Sequence, residues 1–282
     1  MRNGRVKIGV VAPASRLEPV CADKVLELAR ELYAGRSLEI YFHPQCFLSS
    51  GHFAGDDETR ARAFLDVAND PSFDALWIGR GGYGSCRIAE RVIAQFNLAA
   101  RDKTYLGYSD AGFLLGGLYK HGFANLAHGP VPADIMREGG REAVARALAF
   151  LADRAQGTLE PTVSPAVKTA AFNLTVLSQL LGTPLQPDLT DHVLMLEEVS
   201  EYMYRIDRAM FHITSNPSIR KVAGIMLGRC SAIPPNEPDF GQTEVEVFEH
   251  WCRVSGILYL GRADIGHDIG NKVVPFGRLQ TN

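Results

Sequence analysis

Four short runs of the 282-residue chain are apolar on both faces: Val6–Val11, Leu38–Phe42, Ala75–Ile78 and Lys103–Tyr108. After each run, apolar residues recur at helical spacing: Val25, Leu28, Ala29 and Leu32; then Ala61, Phe64, Leu65 and Ala68; then Ile88, Val92 and Phe96; and finally Ala111 to Lys120. A strand buried on both faces needs helices above and below it, and strands separated by helices pair in parallel. The pattern therefore predicts an α/β fold built on a parallel sheet. Gly35 is placed as a helix C-cap, and Asp56 and Asp57 suit the positive end of a helix dipole. In such sheets ligands collect at the carboxyl ends of the strands, so the turns after Ile78 and Tyr108 are the places to look for chemistry.

The regular alternation breaks at residues 153–168, DRAQGTLEPTVSPAVK, which lack a sustained apolar period. We read this segment as a linker between an N-terminal domain, residues 1–152, and a smaller C-terminal domain, residues 169–282. In the second half, helices are predicted near Leu174–Leu181, around Ile206, Met210 and Ile213, and over Thr243–Ser255. Strands are predicted at Val193–Leu196, Val222–Leu227 and Ile257–Leu260. A net charge of −3 offers no basic field for a nucleic-acid backbone. No apolar run approaches the roughly 20 residues of a membrane span. The start, Met1 to Ile8, reads as the entry to a strand rather than a secretion signal. Five widely spaced cysteines without a CxxC pair predict reduced thiols and no metal site, and nothing in the sequence calls for a cofactor. Together these features predict a cytoplasmic protein with neither nucleic acid nor membrane as partner.

Four segments can carry chemistry. Gly79-Arg80-Gly81-Gly82-Tyr83-Gly84-Ser85 follows a strand and precedes a helix, where glycines expose backbone amides to an anion. Its spacing matches neither GxGxxG nor GxxxxGK[ST], which argues against a phosphate loop. Leu106-Gly107-Tyr108-Ser109-Asp110-Ala111 has the first half of a nucleophile elbow, with alanine where the second glycine would stand. A strained turn there would project the Ser109 hydroxyl, with the Asp110 amide at a helix N-terminus. On these residues alone, the plainer reading is that Ser109 or Asp110 caps the helix. Glu197 and Glu198 end the apolar run Leu194–Leu196 and must point to opposite faces, one or both of them toward solvent or a buried partner. His267 lies between Gly266 and Asp268 in a polar loop, where a histidine is more often surface decoration than a base. In chain order the segments supply serine, carboxylate and histidine, as nucleophilic acyl transfer requires.

With these segments in hand, the chain resembles the LD-carboxypeptidase family of serine peptidases, which includes the microcin C immunity peptidases. The likeness runs through Ile8–Ser15, Arg80–Gly84, Gly107–Asp110, His128–Pro130, Asn173–Thr175, Leu196–Val199, Tyr204-Arg205, Gly266-His267, Asn271, Pro275 and Gly277. The resemblance implies a Rossmann-like N-terminal domain, a smaller mixed α/β C-terminal domain and an active site between them. It implies Ser109 as nucleophile, Glu197 rather than Glu198 as triad acid, and His267 as base, with the amides of Gly82 and Asp110 as oxyanion hole. It also implies a homodimer. The chain departs from the family pattern at Ala171-Phe172, which replaces a small Gly-Gly pair, at Asp268 after the histidine, and at Ala111. Phe172 in particular is expected to narrow a pocket.

The resemblance offers two substrates within one chemistry. One is the L-D bond of a cytoplasmic murein tetrapeptide, cut to release D-alanine in cell-wall recycling. The other is an aminoacyl amide on a nucleotide-like toxin. Arg80 is a candidate for the terminal carboxylate of such a peptide, because guanidinium pairs bidentately with carboxylates, or else it buttresses the turn. Tyr83 either lines the pocket or packs on the surface. Two other classes fit less well. A non-catalytic ligand-binding module would tolerate a missing triad member, and none is missing. An α/β-hydrolase esterase would have the second elbow glycine and no linker between nucleophile and acid.

Overall fold

The computed structural model describes residues 5–279, so the first four residues of the Met1–Ile8 stretch lie outside it. The first sheet takes β1 (Val6–Val11), β2 (Leu38–Phe42), β3 (Ala75–Ile78), β4 (Thr104–Gly107) and β5 (Leu126–His128), ordered β5-β4-β3-β1-β2. Each pairs in parallel with its neighbours, as strands joined through helices must. The helices of this half are α1 (Pro19–Leu32), α2 (Asp57–Ala68), α3 (Ser85–Ile93), α4 (Leu98–Arg101), α5 (Gly112–Lys120) and α6 (Gly140–Asp153). Successive strand residues face opposite ways, and the core divides accordingly. Ile8, Val10, Trp77 and Leu106 pack with Val25 and Leu28 of α1 and Val144 and Leu148 of α6. Val11, Leu76, Ile78 and Tyr105 pack with Phe64 of α2, Ile88 of α3 and Leu114 of α5.

The second sheet runs β6 (Lys168–Asn173), β7 (His192–Val199), β8 (Gly224–Ser231) and β9 (Tyr259–Arg262), again parallel. Its helices are α7 (Leu174–Leu180), α8 (Met203–Ser215) and α9 (Glu244–Ser255). The chain then crosses back. Val274–Pro275 (β10) adds antiparallel to β5 at the edge of the first sheet, and Gly277–Arg278 (β11) adds antiparallel to β6 at the edge of the second. The apolar core is continuous through the join: Phe172, Leu177, Leu194 and Met210 belong to the same cluster as Phe64 and Tyr105. Among the described residues, no helix is long and apolar enough to cross a membrane.

The α/β fold expected from the sequence is present, with differences in detail. Helix α1 ends at Leu32 with Tyr33 as its C-cap, so Gly35 takes its left-handed φ of 79° two residues beyond the cap. Asp56 caps α2 through Thr59 N at 2.7 Å. Phe96 lies beyond the end of α3, in the turn that leads to α4. The helix after β4 starts at Gly112, because Ser109–Ala111 form a tighter 3-10 turn.

Candidate active site

The turn after β4 is built almost wholly from backbone constraints. Ser109 sits at φ 62°, in the left-handed region that a residue with a Cβ rarely occupies and that costs on the order of 1–3 kcal/mol. The surroundings hold it there. A side chain at Gly107 would come within 2.9 Å of Ile78 Cβ on β3 and 3.0 Å of Ala111 Cβ in the turn, so strand end and turn fit together only because that residue is glycine. The Tyr108 hydroxyl donates to Asp134 Oδ1 at 2.9 Å, and the Asp110 carboxylate accepts from Ser85 N at 2.8 Å and Gly84 N at 3.3 Å. Asp110 therefore caps the neighbouring helix α3 rather than its own helix. Burial lifts its carboxyl above the ordinary range, opposed by those amides and by Arg60.

The glycine turn after β3 lies directly over the serine. A Cβ on Gly81 would stand 2.9 Å from Ser109 Cβ and 3.0 Å from Ser109 Oγ, and one on Gly82 would stand 2.3 Å from Ser15 Oγ. Gly82 and Gly84 have φ of 111° and 139°, open to glycine alone. Beneath the turn, buried Arg60 donates to Gly84 O at 2.9 Å and to Pro13 O, tying the turns after β1 and β3 together.

The acid and the histidine come from the second sheet. A register shift between Leu196 and Glu198 lets the two glutamates take separate partners. Glu198 accepts from Asn173 Nδ2 at 2.7 Å, Thr175 N at 2.9 Å and Thr175 Oγ at 2.7 Å. Glu197, 0% exposed, has its Oε2 2.5 Å from His267 Nδ1. Both glutamates are buried, so the solvent-facing option for either is excluded. Burial disfavours the imidazolium of His267, yet the Coulomb attraction and hydrogen bond of Glu197 outweigh it and raise the histidine above its ordinary 6.5. With Nδ1 donating to the carboxylate, Nε2 is the nitrogen left to accept a proton. The His267 ring lies 4.8 Å, centroid to centroid, from the ring of Tyr108, the residue preceding Ser109. Serine turn and histidine loop thus meet although they belong to different sheets.

Arg80 is exposed and donates to Arg16 O at 3.3 Å, buttressing the neighbouring loop. Tyr83, 50% exposed, packs against Phe53 and His52 at 6.1 and 6.2 Å between ring centroids. Among the described residues, no group of three or more His, Cys, Asp or Glu is placed to hold a metal ion, and the five cysteines are free.

Known proteins resemble the chain in sequence and fold. The LD-carboxypeptidase N-terminal domain matches residues 8–129, and the LD-carboxypeptidase C-terminal domain matches residues 168–281. A Synechocystis protein named as a carboxypeptidase is 32% identical over 96% of this chain and 89% of its own. The chain belongs to the LD-carboxypeptidase family. A Bacillus subtilis relative, named as a murein peptide carboxypeptidase, is 26% identical over 96% of this chain and 86% of its own. The fold is also that of the microcin C7 self-immunity protein MccF, solved with aspartyl sulfamoyl adenosine. That structure superposes at a TM-score of 0.79 with 16% identity, covering 98% of this chain and 92% of its own.

Two departures of this chain from its family's pattern find their explanation in the structure. Phe172 does not line a pocket. It is 1% exposed and packs 5.2 Å from the Phe276 ring, against the helix α5 glycines Gly112 and Gly116. The larger side chain fills the join between the two sheets, where α5 presents no side chains of its own. Asp268 pairs with Arg229 Nε and accepts from Gly270 N at 2.8 Å, so it stiffens the histidine loop. Residues outside the sequence reading also converge here. Asp134, Arg137 and His52 carry no signal of their own in the sequence. Tyr108 and His128 stood inside recognised segments with no role assigned.

Proposed function

We propose that this chain hydrolyses the L-D amide bond of a murein tetrapeptide and releases D-alanine, serving cell-wall recycling in the cytoplasm. Ser109 is the nucleophile, His267 the base and Glu197 the acid that orients the base. The observation that carries the reading is the Glu197–His267 pair, with the His267 ring tilted against Tyr108 and Ser109 raised on a left-handed turn.

In this mechanism His267 Nε2 takes the hydroxyl proton as Ser109 Oγ attacks the amide carbonyl carbon. Glu197 holds the tautomer and stabilises the imidazolium. The amides of Gly82 and Asp110 receive the developing oxyanion; one such donor is worth roughly 100- to 1000-fold in rate. His267 then protonates the leaving amine of D-alanine, and water, deprotonated by the same imidazole, hydrolyses the acyl-serine. Arg80 stands as the candidate for the substrate's terminal carboxylate and Tyr83 for the pocket wall. The name of the Bacillus subtilis relative supports the murein substrate.

The test incubates the purified protein with murein tetrapeptide and, separately, with aminoacyl-nucleotide amides, reading products by mass spectrometry beside Ser109→Ala. Release of D-alanine by the wild type alone is expected, with Ser109→Ala slower by on the order of 10⁴-fold or more. Wild-type turnover in Ser109→Ala removes the mechanism; cleavage confined to the nucleotide amides removes the murein substrate.

A further inference from the structure

His267 is carried on the segment between β9 and β10, which leaves one sheet and enters the other. Within the segment, Asn271 Oδ1 accepts from Gly266 N at 3.2 Å and lies 3.3 Å from Nε2 of buried His128. The outward carbonyls are taken by two arginines of the N-terminal half. Arg137, at the end of the 3-10 turn Pro132–Met136, donates through Nη1 to His267 O. Arg146, in α6, donates through Nη1 to Ile269 O and Asn271 O at 2.9 Å each. Among the described residues Arg146 has no carboxylate partner, so its guanidinium serves the loop alone. Arg137 reaches the serine turn as well. Its Nε lies 3.4 Å from Asp134 Oδ1, the atom that accepts the Tyr108 hydroxyl at 2.9 Å. A continuous path therefore runs from the residue beside Ser109, through Asp134 and Arg137, to the carbonyl of His267.

We infer that Arg137 and Arg146 are positioning residues that clasp the histidine loop from the opposite half of the molecule and set His267 in register with Ser109. The inference rests on Ser109 and His267 being nucleophile and base. The physical ground is that Ser109 follows a strand of the first sheet, whereas His267 stands on the segment crossing between the sheets and is paired to Glu197 of the second, so a small rotation between sheets misaligns them. Misplacement by about 1 Å costs on the order of 100-fold in rate. Direct donors from one half to the carbonyls beside the base resist that rotation at its most sensitive point. The two arginines differ in one respect. His267 is faced by Glu197, Glu198, Arg137, His128, Asp134 and Tyr108, and within that set Arg137 opposes the imidazolium while Arg146 takes no part.

The experiment measures kcat, KM and the pH profile of the full-length protein on murein tetrapeptide, with hydrogen–deuterium exchange over residues 264–273. Variants are Arg146→Ala, Arg146→Lys, Arg137→Ala and Arg137→Lys. Arg146→Ala is expected to lose about 10- to 100-fold in kcat with KM nearly unchanged. Exchange should accelerate within 264–273 only, and Arg146→Lys should regain part of the loss. Arg137→Ala should show a similar loss and also move the acid limb of kcat/KM to higher pH, a shift that Arg146→Ala does not make. Wild-type kcat in both alanine variants overturns the inference; so does a loss matched by faster exchange across the whole chain. If Arg146→Ala does not fold, Arg146→Gln, which keeps a donor, is read by the same two quantities. Ser109→Ala and His267→Ala run in the same assay. Activity in those two overturns the nucleophile and base, whereas their inactivity beside wild-type kcat in both Arg146→Ala and Arg137→Ala overturns the clasp alone.

Discussion

The serine turn and the histidine loop contribute to one site by opposite means. The turn is determined by backbone: a left-handed Ser109, glycines whose Cβ positions are already occupied by Ser109, Ser15 and Ile78, and amides gathered by the Asp110 carboxylate. The loop is determined by side chains, with Arg137, Arg146, Arg229, Asp268 and Asn271 each taking part of it. A strand-to-helix junction in a parallel sheet presents the same backbone geometry wherever it occurs, and glycine is enough to reach it. A loop crossing between sheets has no such template and needs a partner for each carbonyl. The turn should therefore fail abruptly on a single added carbon, and the loop by degrees.

The largest expected effect lies on the loop's catalytic partner. Glu197→Gln keeps shape but not charge, and kcat should fall on the order of 10⁴-fold, as when a triad acid becomes its amide. The pH profile gives an independent sign. In the proposed mechanism activity needs neutral His267 and should be lost as pH falls through its raised value, above 6.5. Without the carboxylate the imidazolium is less stable, so the acid limb moves to lower pH; a limb that stays in place or rises would count against the pair.

Phe172→Ala addresses the join between the regions. Removing this core aromatic should cost about 3–5 kcal/mol in a denaturant titration. Catalysis in the surviving folded fraction should persist, since the ring touches α5 and Phe276 rather than the site. Gly81→Ala tests the turn itself. One methyl directed at Ser109 should lower kcat by about 100-fold while stability changes little, with near-normal kcat showing that the turn has more room than its geometry gives it. The smallest effect belongs to Asp268→Asn. It weakens the pair with Arg229 and keeps the acceptor for Gly270 N, so kcat should drop only a few-fold, about 1 kcal/mol.

Much of this was legible in the residues. The first four strands stood out because both faces of each are apolar, and their junctions followed from the rule that places ligands at strand ends. β5, three residues long, and β6, with Thr169, Ala170 and Ala171, lack the bulk that marks a strand. Helix α6 does carry a helical period in Ala143, Val144, Ala147 and Leu148, a signal present but not taken up. At the site, Ser109, Glu197 and His267 were singled out by local setting and joined by resemblance. Their neighbours were not, because Asp134, Arg137 and Arg146 act through contacts more than 25 residues distant in sequence, which no local pattern encodes. Phe172 was misread for the same reason: a large residue beside a site looks like a pocket wall until the glycines of α5 opposite it are seen.

The antiparallel addition of Val274–Pro275 to His128 and Ala127 has a further consequence. Synthesis proceeds from the N-terminus, so the serine turn can form long before the ribosome reaches the strand that seals its sheet. A chain lacking that strand would lose the edge that ties the histidine loop to β5. The last short strands thereby stitch the two sheets together beside the proposed site.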